Sequence, residues 1–140
     1  MIDHGTLDQD HHNDTDVIRH RMRHSAAHVM ADAVLKLFPQ AKMGIGPPTQ
    51  DGFYYDFDVP IPFTSEDLMK IEDLMRKTIQ ADHPFFREEL TREEAQALFS
   101  DQPYKLEIIE AIPEAESLSI YRHGDFTDLC QGPHVDNTSD

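Results

Sequence analysis

His24-Ser25-Ala26-Ala27-His28 lies near the start of the chain and Cys130-Gln131-Gly132-Pro133-His134 near its end. Each stretch sets two potential ligands or acid/base groups four residues apart. On a helix, residues i and i+4 share a face one turn apart, so His24 and His28 can address one cavity. Cys130 and His134 keep the same interval, but Gly132-Pro133 between them calls for a loop or bend. If the fold joins the two pairs, four His and Cys side chains converge as a catalytic pocket or a tetrahedral metal site.

Outward from the first pair, Asp14-Thr15-Asp16 offers caps for a helix beginning near Val17. Ala27, Ala31, Val34 and Leu35 or Phe38 recur at helical spacing until Phe38-Pro39, where the helix should stop. The small Ser25, Ala26 and Ala27 keep the surroundings of the histidines open, as a pocket floor requires. Residues 1–16 are acidic and poor in apolar side chains, which predicts a flexible tail ahead of a domain spanning 17–140. His11 and His12 read as solvated residues of that tail.

Lys42 to Pro48 reads as a strand ending in a turn, and Phe53-Tyr54-Tyr55-Asp56-Phe57-Asp58 as its hairpin partner. An aromatic strand of this kind can stack nucleic-acid bases, but core packing is the commoner use. Thr64-Ser65-Glu66-Asp67 starts a helix that Leu68, Ile71, Leu74, Met75 and Ile79 sustain to about Asp82, with Pro84 beyond it. Phe85–Leu90 suits a short strand, and Thr91-Arg92-Glu93-Glu94 has capping-box form for a helix through Phe99. Pro103–Ile109 fits a helix or a strand equally by periodicity. Ser117–Arg122 and Phe126–Cys130 form a hairpin around His123-Gly124-Asp125, with Phe126, Asp128 and Cys130 on one face. This order predicts an α+β domain, an antiparallel sheet with packed helices.

Composition narrows the classes. A length of 140 residues suits one domain, and an apolar fraction of 39% with eight Phe supports a core. No apolar run reaches the length of a membrane span, and the acidic N-terminus is not a signal peptide. One cysteine excludes an internal disulfide and suits the cytosol. A net charge of −15 excludes nucleic-acid binding through bulk charge, so any RNA contact must use a local patch or an attached domain.

Five blocks, in order, resemble the editing domain of threonyl-tRNA synthetases, within a superfamily shared with alanyl-tRNA synthetase editing domains. They are Arg23–His28, Lys42–Pro47, Asp51–Phe57, Pro103–Glu107 and Tyr121–Phe126, the last continuing through Asp128–Val135. The resemblance runs from about Val17 to about Asn137. Either His/Cys pair alone would be weak; the ordered set is specific. It implies hydrolysis of tRNA mischarged with serine instead of threonine. The physical need is plain, because a site built for threonine gains only about 1–3 kcal/mol from one methyl, and a second sieve must complete the discrimination.

Carried over by position, the resemblance implies His24, His28, Lys105 and His134 as catalytic and Tyr121, Asp128 and Cys130 as substrate-binding. Lys105 and one of the histidines would position and activate water, Asp128 would hold the serine ammonium or hydroxyl, and Tyr121 the terminal ribose. In the alanyl branch the same four His/Cys positions bind zinc; the Gly-Pro-His and Tyr-Arg-His-Gly forms favour the threonyl branch, which implies no cofactor. The implied partners are the aminoacylated 3′ end of tRNA and the rest of a parent synthetase, in the cytoplasm, with no membrane or DNA. A zinc-dependent alanyl-type deacylase and a non-catalytic tRNA- or partner-binding module remain the alternatives. The family often carries a ubiquitin-like domain ahead of this one, and the acidic tail in its place implies a parent of a type lacking it; the family's domain continues beyond its Gly-Pro-His-Val segment, and no stretch resembles an ATP-dependent aminoacylation core. The expectation is a piece of a longer synthetase, with final strands or helices of the domain lying past Asp140.

Overall fold

The computed structural model describes residues 4–45, 52–114, 116–130 and 132–140, with side chains from residue 15 onward. The first helix, α1, spans His4–Leu37, so the helix expected to begin near Val17 starts several turns earlier. It stops where predicted, ahead of Pro39, which cannot continue the hydrogen-bond ladder. Lys42–Met43 (β1) and Phe57–Asp58 (β2) pair antiparallel, and Gly44 and Asp56 extend the hairpin by further backbone bonds. The turn expected at Gly46–Asp51 lies outside the described residues.

Helix α2, Ser65–Ala81, begins at a capping box on Thr64, and Asp82 ends it in the left-handed conformation. Strand β3 (Phe86–Leu90) follows, then α3 (Arg92–Leu98), whose own capping box sits on Thr91. Pro103–Ala111 is helical and becomes α4, which settles the ambiguity of that segment. Proline at its first position needs no amide partner, and Arg92 donates to the carbonyls of Ile109 and Ile112 at 2.6 Å each, closing its C-terminus.

Leu118–His123 (β4) and Phe126–Leu129 (β5) form the predicted hairpin, with Gly124 in the turn at φ 52°. The sheet order is β3-β4-β5, antiparallel throughout. Because β4 is central, it is buried on both faces. Leu118, Ile120 and Leu129 pack with Ala95, Phe99 and Ile109 of the α3–α4 side. On the other face Phe126 packs with Ala27 and Ala31 of α1 and with Met43 and Tyr55 of the β1–β2 region. Helix α2 covers α1 from outside through Ile71, Ala33 and Val34. Fully buried Ile109 and Ile120 contribute about 1.5–3 kcal/mol each, and truncating either to alanine would cost about 2–5 kcal/mol. The α+β expectation is met.

Candidate functional site

Helix α1 carries His24, His28, Asp32 and Lys36 in steps of four. Such a series drifts by about 40° per step around the helix, because four residues turn slightly more than one revolution. The middle two therefore sink into the core while His24 is half-buried and Lys36 exposed. The other half of the site hangs from β5. Cys130 keeps to the ladder through its amide, which donates to the Ser119 carbonyl, and the chain then turns at Gly132 (φ 81°) and a cis Gly132–Pro133 peptide. A Cβ at Gly132 would collide with the Tyr121 hydroxyl, so only glycine fits there. Beyond it, the Val135 amide donates to Ser25 Oγ, and Thr138 bonds His83 and the Thr78 carbonyl, which locks the loop to α1 and α2.

The two sequence pairs meet. Donor atoms of His24, His28, Cys130 and His134 all lie within 4.8 Å of one another. Cys130 Sγ is 3.1 Å from His24 Nε2 and 3.3 Å from His134 Nε2, and accepts the Gly132 amide at 3.1 Å. Partners on the far ring nitrogens assign the protons. The Pro133 carbonyl requires a proton on His24 Nδ1, which leaves Nε2 to accept the thiol. Ser25 Oγ receives the Val135 amide and is hydrogen-bonded to His134 Nδ1 at 2.9 Å, which fixes the ring with Nε2 towards sulfur.

Burial sets the protonation states. It holds His134 down to about 2, helped by the neighbouring His28 and His24, and holds His28 well below an ordinary imidazole. His24 is lowered less, since the Pro133 carbonyl supports its charged form against desolvation. Desolvation pushes the Cys130 thiol up to about 12, so it is a hydrogen-bonding group and not a thiolate nucleophile.

Beneath this cluster lies a buried ionic group. Lys105 Nζ contacts Asp128 Oδ1 at 2.8 Å with both side chains under 5% exposed. The Leu129 amide also donates to Oδ1, the Tyr55 hydroxyl donates to Oδ2 at 2.6 Å, and His28 Nε2 lies 3.7 Å from that oxygen. The Lys105 ammonium stands 5.3 Å from the Tyr55 ring centroid, within cation–π range. Burial and the Asp128 charge raise the Tyr55 hydroxyl far above its ordinary value, keeping it a donor.

The structure thus brings together all seven residues singled out in the sequence. Tyr121 packs against the His134 ring with centroids 4.4 Å apart and sits opposite Asp128 in the β4–β5 register. Asp128 differs from the expectation in its surroundings: its oxygens already serve Lys105, Tyr55 and the Leu129 amide. Sequence reasoning missed Tyr55 and Ser25. Ser25 had a signal, lying between the two histidines; Tyr55 stood among aromatics that read as core.

Access follows from burial. His24, Cys130 and Tyr121 are half-buried and Pro133 is exposed, whereas His28, Lys105, Asp128, His134 and Tyr55 are buried. A reactant therefore meets His24, Cys130 and Tyr121 first. A cleft of about 400 Å³ between α4 and the β1–β2 hairpin contains none of these residues. The four His/Cys donors are also chemically suited to zinc. Three imidazoles and one sulfur lie within 4.8 Å of one another, and Nδ1 of His24 and of His134 is within hydrogen-bond reach of an oxygen, as in metal-bound histidines.

Residues 118–140 match the family described as threonyl and alanyl tRNA synthetase second additional domain. A threonine–tRNA ligase of Dehalococcoides mccartyi is 58% identical over 118 residues, covering 84% of this chain and 20% of the relative. One of Borrelia duttonii is 52% identical over 124 residues, 89% of this chain and 21% of the relative. One of Oleidesulfovibrio alaskensis is 56% identical over 119 residues, 84% of this chain and 18% of the relative. The chain spans about a fifth of the length of the curated relatives it matches.

Proposed function

We propose that this chain, which belongs to the threonyl and alanyl tRNA synthetase second additional domain family, is a proofreading esterase that hydrolyses seryl-tRNA charged on a threonine tRNA. The observation that carries the reading is the convergence of His24, His28, Cys130 and His134 directly above the buried Lys105–Asp128 pair. The ester would enter past Tyr121 and His24. His24 is the imidazole best suited to take a proton from water, being half-buried and the least depressed of the three described in the cluster, with Nε2 exchanging the Cys130 thiol for that water. His134 is too weakly basic for that role and fixes the thiol by a hydrogen bond. The Lys105 ammonium, held by Asp128, supplies positive charge towards which a developing oxyanion is stabilised. Asp128 tunes that charge, with Tyr55 as its second anchor, and the half-buried Tyr121 hydroxyl is available to the ribose.

In this reading tRNA and the remainder of a longer synthetase are the partners, and residues 17–140 make up the working domain. In this reading the hydrolysis uses these side chains without a metal. The second reading keeps the same four side chains as zinc ligands, supported by their donor chemistry and anchored Nδ1 atoms. Zinc bound there would act as a Lewis acid on the attacking water or the ester carbonyl. Deacylation of seryl- and threonyl-tRNA by the purified chain, with and without a chelator, tests both. Selective release of serine, indifferent to chelator, is expected. Chelator-sensitive release would move the assignment to the zinc reading, and tRNA binding without hydrolysis would replace it with a non-catalytic module.

A further inference from the structure

Asp32 and His123 take no part in the chemistry described above, yet they are only 5% and 1% exposed. Asp32 stands on α1 one turn beyond His28, and His123 ends β4 opposite Phe126. His123 Nε2 lies 3.3 Å from Asp32 Oδ2, and Lys36 Nζ lies 3.4 Å from the same oxygen. The His123 ring packs on Phe85 and Phe126, with centroids 4.9 and 5.2 Å away. Phe85 in turn stacks on His134 at 5.0 Å, and Phe126 meets the His28 ring edge-on at 5.9 Å. One aromatic ring therefore separates His123 from each of two histidines of the site.

The two halves of the site ride on different elements, His24 and His28 on α1, Asp128 and Cys130 on the β4–β5 hairpin and its continuation. Apolar contacts between such elements tolerate small slides, and a slide of one residue along a helix moves every side chain by about 1.5 Å and turns it by about 100°. A buried imidazole–carboxylate bond has one good geometry and resists both. Such a pair adds little net stability over apolar side chains of its size, so its physical use is to select an arrangement.

We propose that Asp32 and His123 form a positioning pair that pins the register of α1 against the β4–β5 hairpin, and with it the placement of His24 and His28 over Asp128 and Cys130. The kinetic part of this proposal rests on the proofreading reading; the geometric part does not. A misplacement near 1 Å is enough to cost about 100-fold in rate. His123→Phe keeps a ring between Phe85 and Phe126 but removes the bond. Asp32→Leu removes it from the other side, and Asp32→Asn keeps an acceptor for the imidazole N–H.

The experiment measures kcat and KM for serine release from seryl-tRNA by the 140-residue chain, beside the imidazole 1H–15N resonances of His24, His28 and His134. His123→Phe and Asp32→Leu are expected to lower kcat about 10-fold or more, with KM within about twofold, and to move the three resonances. Asp32→Asn is expected to stay within about threefold of the parent and to leave the resonances in place. Equal effects of Asp32→Asn and Asp32→Leu, or unmoved resonances in both bond-breaking variants, would overturn the pair. Should His123→Phe not fold, the two Asp32 variants decide. A parent chain that releases no serine would refute the functional reading, while the resonances would still decide the positioning.

Discussion

Removing the Lys105 ammonium should destabilise the fold far more than it removes contacts. At 2.8 Å from Asp128 Oδ1, the ammonium supplies about 6 kcal/mol of attraction at an effective dielectric near 20. That attraction offsets a desolvation cost of several kcal/mol per ion, so the pair nearly balances against apolar side chains of equal volume. In Lys105→Met the balance is broken, because Asp128, 2% exposed, stays buried beside Tyr55 and His28 without its counter-ion. The expected loss is about 3–5 kcal/mol, which for a chain of this size lowers Tm by about 10–20 °C. Asp128→Asn keeps acceptors for the Tyr55 hydroxyl and the Leu129 amide while removing the charge. Combining it with Lys105→Met should therefore restore stability to within about 1–2 kcal/mol of the parent.

Urea unfolding of the four proteins, followed by far-UV circular dichroism, measures the cycle, with equal slopes required for the comparison. A Lys105→Met loss under about 1 kcal/mol would refute the buried-pair argument. So would a combined variant no more stable than the sum of the single changes. The combined variant should fold and yet fail to release serine, separating the ammonium's role in the reaction from its role in the fold.

Acid should unfold the chain early. His134, at about 2 in the folded state, and the lowered His24 and His28 refuse protons that unfolded imidazoles accept near 6.5. The contribution of these histidines is then level above about pH 6.5 and falls below it, by up to about 1.4 kcal/mol per unit for His134 alone; a urea midpoint unchanged from pH 7 to 5 would contradict this. Cys130, pushed up to about 12, should react with iodoacetamide at pH 8 at under about a tenth of its rate in urea-unfolded protein, and comparable rates would contradict its neutral, buried state. Gly132→Ala puts a Cβ at φ 81° against Tyr121, so it should cost about 1–2 kcal/mol in backbone strain alone. Adding Tyr121→Phe should recover only the hydroxyl's share of the clash, since two ring carbons stay 2.8 Å from that Cβ, and full recovery would show that strain is absent.

How far the sequence reveals this molecule depends on how local the deciding chemistry is. Thr64 and Thr91 announce their helices because each capping box is complete within four residues. The α4 segment is ambiguous because Leu106, Ile108 and Ile109 suit either period. It is helical where Gln102 ties its start to the Met43 amide and Arg92 closes its end, contacts made by residues outside it. The early start of α1 is hidden by composition, since an acidic, apolar-poor segment reads as a tail when no apolar stripe in the sequence marks it.

The site divides in the same way. His24 and His28 are legible because i and i+4 share a face, and Cys130 and His134 because Gly132-Pro133 bends the chain between them. Tyr55 is not, because its hydroxyl meets a carboxylate 73 residues away and nothing in an aromatic run says which ring will do so. Asp32 lies between these cases. The interval that relates His24 to His28 recurs at Asp32 and Lys36, so the series was visible, but its meaning was not. The drift of a four-residue series buries its middle and leaves its ends half-buried or exposed, and the buried carboxylate takes a buried partner that the helix cannot supply beside the exposed Lys36. That partner, His123, comes from the strand that must be placed against α1. A polar residue continuing a catalytic stripe into a core is thus a mark of where the next element docks.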